Sequence, residues 1–281
     1  MGLSTKLFLN VLKFIVLVCL STSTIAKNKS VPIQSTVLAT SYSVQDLDTG
    51  EILQSKNDKE IRSIASITKL MSAMVFLDSL PNLINIVTVK SIKGISTKIP
   101  NNTQLSLADL LHLSLMSSDN LAAKTLAINY PGGEAQHVKD MNAKAESLGM
   151  TSTFYSDPTG LLDTNVSTAQ DLTKLVKHAE NYLIVKSFST SPKYLIEIPG
   201  KKTTKKIEFH TTNRLVLLNS DIIISKTGWI QKAGGCLVML VQHQGHRLAV
   251  ILLNSKNTNT RLRDGVLLTE YNDVRNNRNI R

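Results

Sequence analysis

Apolar and polar residues alternate from Tyr42 to Leu47, break at Asp48-Thr49-Gly50, and resume at Ile52 and Leu53. A period of two across a Gly-containing turn predicts a β-hairpin. From Ser66 the period changes. Leu70, Met71, Met74, Val75 and Leu77 form a helical stripe that stops before Pro81. The stretch 106–130 predicts two helical segments broken near Ser117 to Asn120, with Ser106 as cap and Asp109 at the third helical position. Pro131-Gly132-Gly133 ends the second segment, and another helix runs to Gly149. "DPTGLLDTN" reads as a loop from its Pro and Gly, and Ser167 or Thr168 caps a helix through His178. Beyond residue 190 the pattern is β. "YLIEI", "KKIEFH", "DIIISK", "GCLVMLVQ" and "RLAVILLN" predict strands, the last two joined by a turn at "HQGH". A last helix places Leu262, Val266, Tyr271 and Val274 roughly on one side. Strands at both ends and helices between predict one sheet built from both ends of the chain, flanked by helices, with an all-helical insert.

The length of 281 residues suits one large domain or two small ones, and 42% apolar residues supply a sizeable core. The N-terminus has Lys6 in a positive leader, an apolar run from Phe8 to Leu20 interrupted by Asn10 and Lys13, then small residues to Ala26. This predicts a signal peptide over 1–26, since the unbroken apolar run is short for a span. Its removal takes Cys19 away and leaves Cys236 alone, so no internal disulfide is expected. Cys236 reads as a small buried hydrophobe.

The charge is +11, from 32 Lys plus Arg against 21 Asp plus Glu. In an exported protein that excess points away from nucleic acid and towards a loose association with an anionic membrane or wall surface. The run Lys201, Lys202, Lys205, Lys206 reads as a charged hairpin tip. The six histidines are scattered without ligand spacing, so neither a metal nor another cofactor is expected. Asp157 and Asp163 suit turn chemistry as well as they suit a cleft.

Candidate chemistry begins at Ser66 and Lys69, three residues apart at the start of an apolar helix. That spacing makes them neighbours. A dry lysine loses its proton easily and can then take one from the serine. The helix start adds backbone N–H groups for an oxyanion. Ser118-Asp119-Asn120 falls at the break between helices, and Lys226-Thr227-Gly228 follows an apolar strand. In this order the S-x-x-K, S-x-N and K-T-G motifs are the signature of serine β-lactamases and penicillin-binding proteins.

With "SIASITKLMSAMVFLD", "LMSSDNLAA", "NYPGG", "MNAKAESLGM", "DPTGL", "NVSTAQDL" and "SKTGWIQKAGGCLVM", the chain closely resembles low-molecular-mass D-alanyl-D-alanine peptidases. Among these it is most similar to the penicillin-binding protein 7 type of murein DD-endopeptidase. The resemblance runs from about Thr40 to Asn254. It implies a β-lactamase/transpeptidase-like α/β (α+β) fold: an antiparallel sheet flanked by helices, with an all-helical subdomain. The domain would occupy 40–274, after a linker at 27–39 and before a polar tail at 275–281.

The same resemblance implies roles. Ser66 would be the nucleophile, Lys69 the general base, and Ser118 a proton relay to the leaving amine. Asn120 would hold Lys69 and the substrate amide. Lys226 would supply positive field, Thr227 would bind a carboxylate, and Gly228 would leave room along the strand edge. The backbone N–H groups of Ser66 and Trp229 would form the oxyanion hole. The Trp229 side chain would either wall the cleft or cover the sheet.

The implied substrates are peptidoglycan peptide stems in the periplasm, with β-lactams as covalent inhibitors. No E-x-x-L-N pattern precedes K-T-G, as a class A β-lactamase would have. The chain ends soon after its last helix, which fits the endopeptidase subgroup, cutting D-alanyl–diaminopimelyl crosslinks. Carboxypeptidase trimming of pentapeptides and an idle muropeptide-binding homologue are the alternatives.

Overall fold

The computed structural model describes residues 36–199 and 203–276, with side chains to residue 270. The predicted signal peptide, most of the linker, Lys201, Lys202, and the tail beyond 276 lie outside the described residues.

In chain order, β1 (Ser41–Asp46), β2 (Ile52–Lys56) and β3 (Arg62–Ser63) lead into a 3-10 turn at Ala65–Ile67 and then α1 (Thr68–Asp78). Next come β4 (Ile86–Val89), β5 (Thr103–Ser106), α2 (Leu107–Met116), α3 (Asn120–Ile128) and α4 (Gly133–Ser147). β6 (Val166–Ser167), α5 (Ala169–Ala179), α6 (Leu183–Ser189), β7 (Lys193–Ile198) and β8 (Lys205–His210) follow. The chain closes with β9 (Ile222–Ile230), β10 (Gly234–His243), β11 (His246–Ser255) and α7 (Thr258–Asn276).

The main sheet has five strands in the order β2-β1-β11-β10-β9, all neighbours antiparallel. It joins the two ends of the chain, as the pattern predicted. Strand periodicity splits each central strand between two cores. Cys236, Val238, Leu240, Ala249, Ile251 and Leu253 face the helical body. Leu237, Met239, Val241, Leu248, Val250 and Leu252 face the opposite side with Leu268 of α7. Residues buried on both faces explain why β10 and β11 read as unbroken apolar runs. Each fully buried Leu or Ile contributes about 1.5–3 kcal/mol.

Capping follows the sequence closely. Ser106 and Asp109 form a reciprocal capping box on α2, and Thr168 Oγ1 accepts from Asp171 N to start α5. Gly149, at φ +69°, takes the left-handed turn after α4. Two details depart from expectation. The insert is not purely helical, since β3–β6 and β4–β5 pair within it. β7 and β8 form a separate hairpin instead of extending the main sheet. Only Ile196 and Phe209 of the hairpin are buried, so it packs one face against the helical body. Tyr194 of the hairpin donates from its hydroxyl to Asp109 on α2. β9 consequently remains an edge strand of the main sheet.

Candidate active site

The site lies where the 3-10 turn, the α2–α3 break and the edge strand β9 converge. Ser66 sits within the 3-10 turn and is partly exposed. One turn on, Lys69 is wholly buried at the start of α1. Its Nζ lies 2.9 Å from Ser66 Oγ, and it donates to Asn120 Oδ1 at 2.7 Å and to the carbonyl of Thr159 at 2.6 Å. The last two partners can only accept. A neutral amine has two N–H bonds and one lone pair. In that neutral form, with both N–H bonds committed, the lone pair faces Ser66 and can accept from its hydroxyl; the charged form donates to Ser66 Oγ instead. Burial pulls the Lys69 pKa down to about 7, against the opposing pull of Asp157 and Asp119.

Ser118 occupies the break between α2 and α3 at φ +59°, a left-handed conformation unusual for serine. Asp119 fixes this break. Its Oδ1 accepts from Ala122 N to cap α3, and its Oδ2 accepts from Thr97 Oγ1 at 2.6 Å. Ser118 Oγ accepts from Lys226 Nζ at 2.8 Å. Lys226 also donates to the Thr227 carbonyl at 2.9 Å. Desolvation, then the nearby charges of Lys69 and Arg261, push the Lys226 amine well below its usual range. The Thr227 hydroxyl donates to Thr212 Oγ1 at 2.6 Å.

Two glycines let separate backbones close on Ser66. A Cβ on Gly228 would lie 2.9 Å from Ser66 N and 3.0 Å from Ala65 Cβ. One on Gly160 would lie 1.9 Å from the Ala65 carbonyl oxygen. Ala65 itself has φ +48°, so the residue before Ser66 is also in the left-handed region. The Trp229 side chain, next to Gly228, is half-exposed at 50%.

The eight predicted residues thus gather in one place. Sequence reading missed Thr159, Asn165 and Arg261, and left Asp157 open between turn chemistry and the cleft. Thr159 contributes a backbone oxygen from the "DPTG" loop. Asp157 holds that loop: its carboxylate accepts from the backbone N–H groups of Thr159, Gly160 and Leu162. Asn165 ties the loop to the helix start, donating to Thr68 Oγ1 at 3.1 Å and to the Asp157 carbonyl. Arg261, buried on α7, donates to the Gly228 carbonyl at 2.9 Å and so pins the K-T-G strand. Asp163 stays exposed on the loop surface. Cys236 is buried and its thiol is pushed up to about 11, which keeps it unreactive.

Among the described residues one group has metal-ligand geometry, Asp46, Asp48 and His246. Arg247 binds Asp48, and Asp46 accepts from the backbone N–H groups of Asp48 and Thr49, so turn chemistry accounts for it.

A five-stranded antiparallel sheet with a helical insert and a Ser–Lys pair at their junction is the β-lactamase/transpeptidase-like fold. The family model described as D-alanyl-D-alanine carboxypeptidase matches residues 26–257. The chain belongs to that family. A D-alanyl-D-alanine endopeptidase of Pseudomonas aeruginosa is 38% identical over 179 residues, 63% of this chain and 57% of its own length. The Escherichia coli protein of the same description gives the same identity and coverage. The chain thus spans somewhat more than half the length of these curated relatives. Among solved structures, the Streptomyces K15 DD-transpeptidase superposes with a TM-score of 0.78 at 25% identity, covering 84% of this chain and 97% of its own. Penicillin-binding protein D2 of Listeria monocytogenes, in a cefotaxime-bound form, gives a TM-score of 0.72 at 26% identity, covering 83% and 96%.

Proposed function

We propose that this chain is a serine DD-peptidase of the periplasm that hydrolyses D-alanyl–diaminopimelyl crosslinks through an acyl-enzyme on Ser66. The observation that carries this reading is the dry Lys69 amine, with both N–H bonds committed and Ser66 Oγ 2.9 Å away. In the reaction, Ser66 Oγ attacks the D-alanyl carbonyl carbon and its proton passes to Lys69. The carbonyl oxygen becomes an oxyanion beside the backbone N–H groups of Ser66 and Trp229. The C–N bond then breaks, and the leaving amine takes a proton through Ser118. Water adds to the ester, releasing the D-alanyl carboxylate and restoring Ser66.

Thr227 would hold the carboxylate of the leaving D-centre by turning its hydroxyl from Thr212 to the substrate. An arriving carboxylate would also favour the charged form of Lys226 and reverse the effect of burial. β-Lactams would acylate Ser66 by the same attack. Trimming of pentapeptides is the second reading, favoured by the description of the matching family model and by a 29% identical D-alanyl-D-alanine carboxypeptidase of Bacillus subtilis.

Mass analysis of muropeptide digests tests the choice. Loss of crosslinked dimers with pentapeptide monomers intact is the expected result. Release of terminal D-alanine from monomers alone would replace the endopeptidase reading with the second one.

A pH dependence follows from the Lys69 amine. Only its neutral form can accept the Ser66 proton. The rate of Ser66 acylation by a fluorescent penicillin should therefore rise with pH to a plateau, with its midpoint at about 7. Below the midpoint it should fall about tenfold per pH unit. A flat profile between about pH 5 and 8 would contradict an amine held in this range.

A further inference from the structure

The cleft continues past the catalytic groups. A cavity of about 340 Å³ is lined by Ser118 and Asn120 and also by Lys98, Phe209 and His210. It is therefore continuous with the group that would hand a proton to the leaving amine. A leaving chain larger than one amino acid must pass along it. We infer that this cavity is the subsite for the leaving strand, and that Lys98 selects strands carrying carboxylates beyond the scissile bond. The inference rests on the DD-peptidase reading and names the part of the substrate that separates crosslinks from pentapeptide ends.

The charges around the cavity decide its preference. Asp119 also lines it; its oxygens accept from Ala122 N and Thr97 Oγ1, which occupies them without removing any charge the carboxylate carries. His210 lies 3.2 Å from Glu208, so any charge it gains is offset there. Lys98 has no carboxylate within ion-pairing distance among the described residues. Its Nζ instead stands 5.9 Å from the centre of the Phe209 ring on β8. A ring at that distance steadies a cation without neutralising it. Lys90 and Lys93 are exposed on the same connection between β4 and β5.

The ligand class follows from these charges. It is a peptide whose leaving side carries its own carboxylates, as a crosslinked stem does and a single D-alanine does only at the position next to the cut.

Binding measured without turnover tests this. In a Ser66→Ala background, calorimetry would give the Kd of a D-alanyl–diaminopimelyl-crosslinked muropeptide dimer and of a pentapeptide monomer. Adding Lys98→Glu should raise the dimer Kd by about tenfold or more through like-charge repulsion, and the monomer Kd by less than about twofold. Amidating the leaving strand's carboxylates other than the one next to the cut should weaken dimer binding by the Lys98 protein and remove most of its difference from Lys98→Glu. An unchanged dimer Kd, no measurable dimer binding, or an equal loss for both ligands would overturn the inference. Penicillin labelling of the protein with Ser66 intact is scored separately. Its failure would overturn the DD-peptidase reading, whatever Lys98 does.

Discussion

Replacing Lys69 with alanine should slow acylation of Ser66 by penicillin by about a thousandfold or more, the range general-base loss produces when the nucleophile is a hydroxyl. The lost group is an amine with a fixed lone pair. Asn120 Oδ1 and the Thr159 carbonyl hold its two N–H bonds, so no rotation offers Ser66 a substitute acceptor. Stability should change far less. The variant leaves the Thr159 carbonyl without its donor, a loss of about 1–3 kcal/mol. It also removes a buried basic group whose charge is unwelcome there, as the fall of its pKa to about 7 indicates. The two effects oppose, and melting followed by circular dichroism should shift by a few degrees at most. Small primary amines in solution give a second readout. Restoring part of the rate in proportion to added methylamine, more strongly at higher pH, would show that a neutral amine was missing. A Lys69→Ala protein that acylates at close to the parent rate would remove Lys69 from the role of base.

The contrast between Lys69 and the groups that hold it shows what a sequence carries. Ser66, Lys69, Asn120 and Lys226 are chemically distinctive side chains at fixed spacing on elements whose hydrophobic period is clear. Their convergence could be anticipated. The Thr159 carbonyl could not, because every residue has one and its direction depends on the loop. Asp157 suited a turn as well as a cleft, and Asn165 closed a stretch that read only as a loop. They also aim Thr159 at the amine, a consequence of three-dimensional closure that local pattern does not express. Arg261 sits in the last helix, where an arginine reads as a solvated face. Only docking of α7 on the sheet buries it against Gly228. The misplaced hairpin has a similar cause. The β propensity of 193–198 and 205–210 was readable, but which edge the strands would join was not. That was decided by Ile196 and Phe209 entering the helical core.

Gly160→Ala should be the most damaging glycine-to-alanine change among the described residues. Two separate penalties apply. Gly160 has φ +80°, where any side chain costs about 1–2 kcal/mol. The new Cβ would also stand 1.9 Å from the Ala65 oxygen and 2.3 Å from its carbonyl carbon. Both are backbone atoms of the residue that precedes Ser66, and no side-chain rotation relieves the clash. The loop or the 3-10 turn must move by more than 1 Å, judged against ordinary van der Waals contact of about 3.5–4.0 Å. Either movement separates the Thr159 carbonyl from Lys69 or shifts Ser66 N from the oxyanion position. A displacement of that size costs about a hundredfold in rate, so penicillin acylation should fall by at least that factor. Unfolding in urea should show a loss of about 3 kcal/mol or more, in the range of core overpacking added to backbone strain. Gly50→Ala provides the comparison. Its φ of +79° is almost the same, and nothing lies within 4 Å of the added methyl. That variant should lose only about 1–2 kcal/mol and acylate like the parent. Equal losses of stability in the two variants would mean that conformation alone sets the cost, and that the close approach of the loop to Ala65 is not what holds Thr159 against the amine.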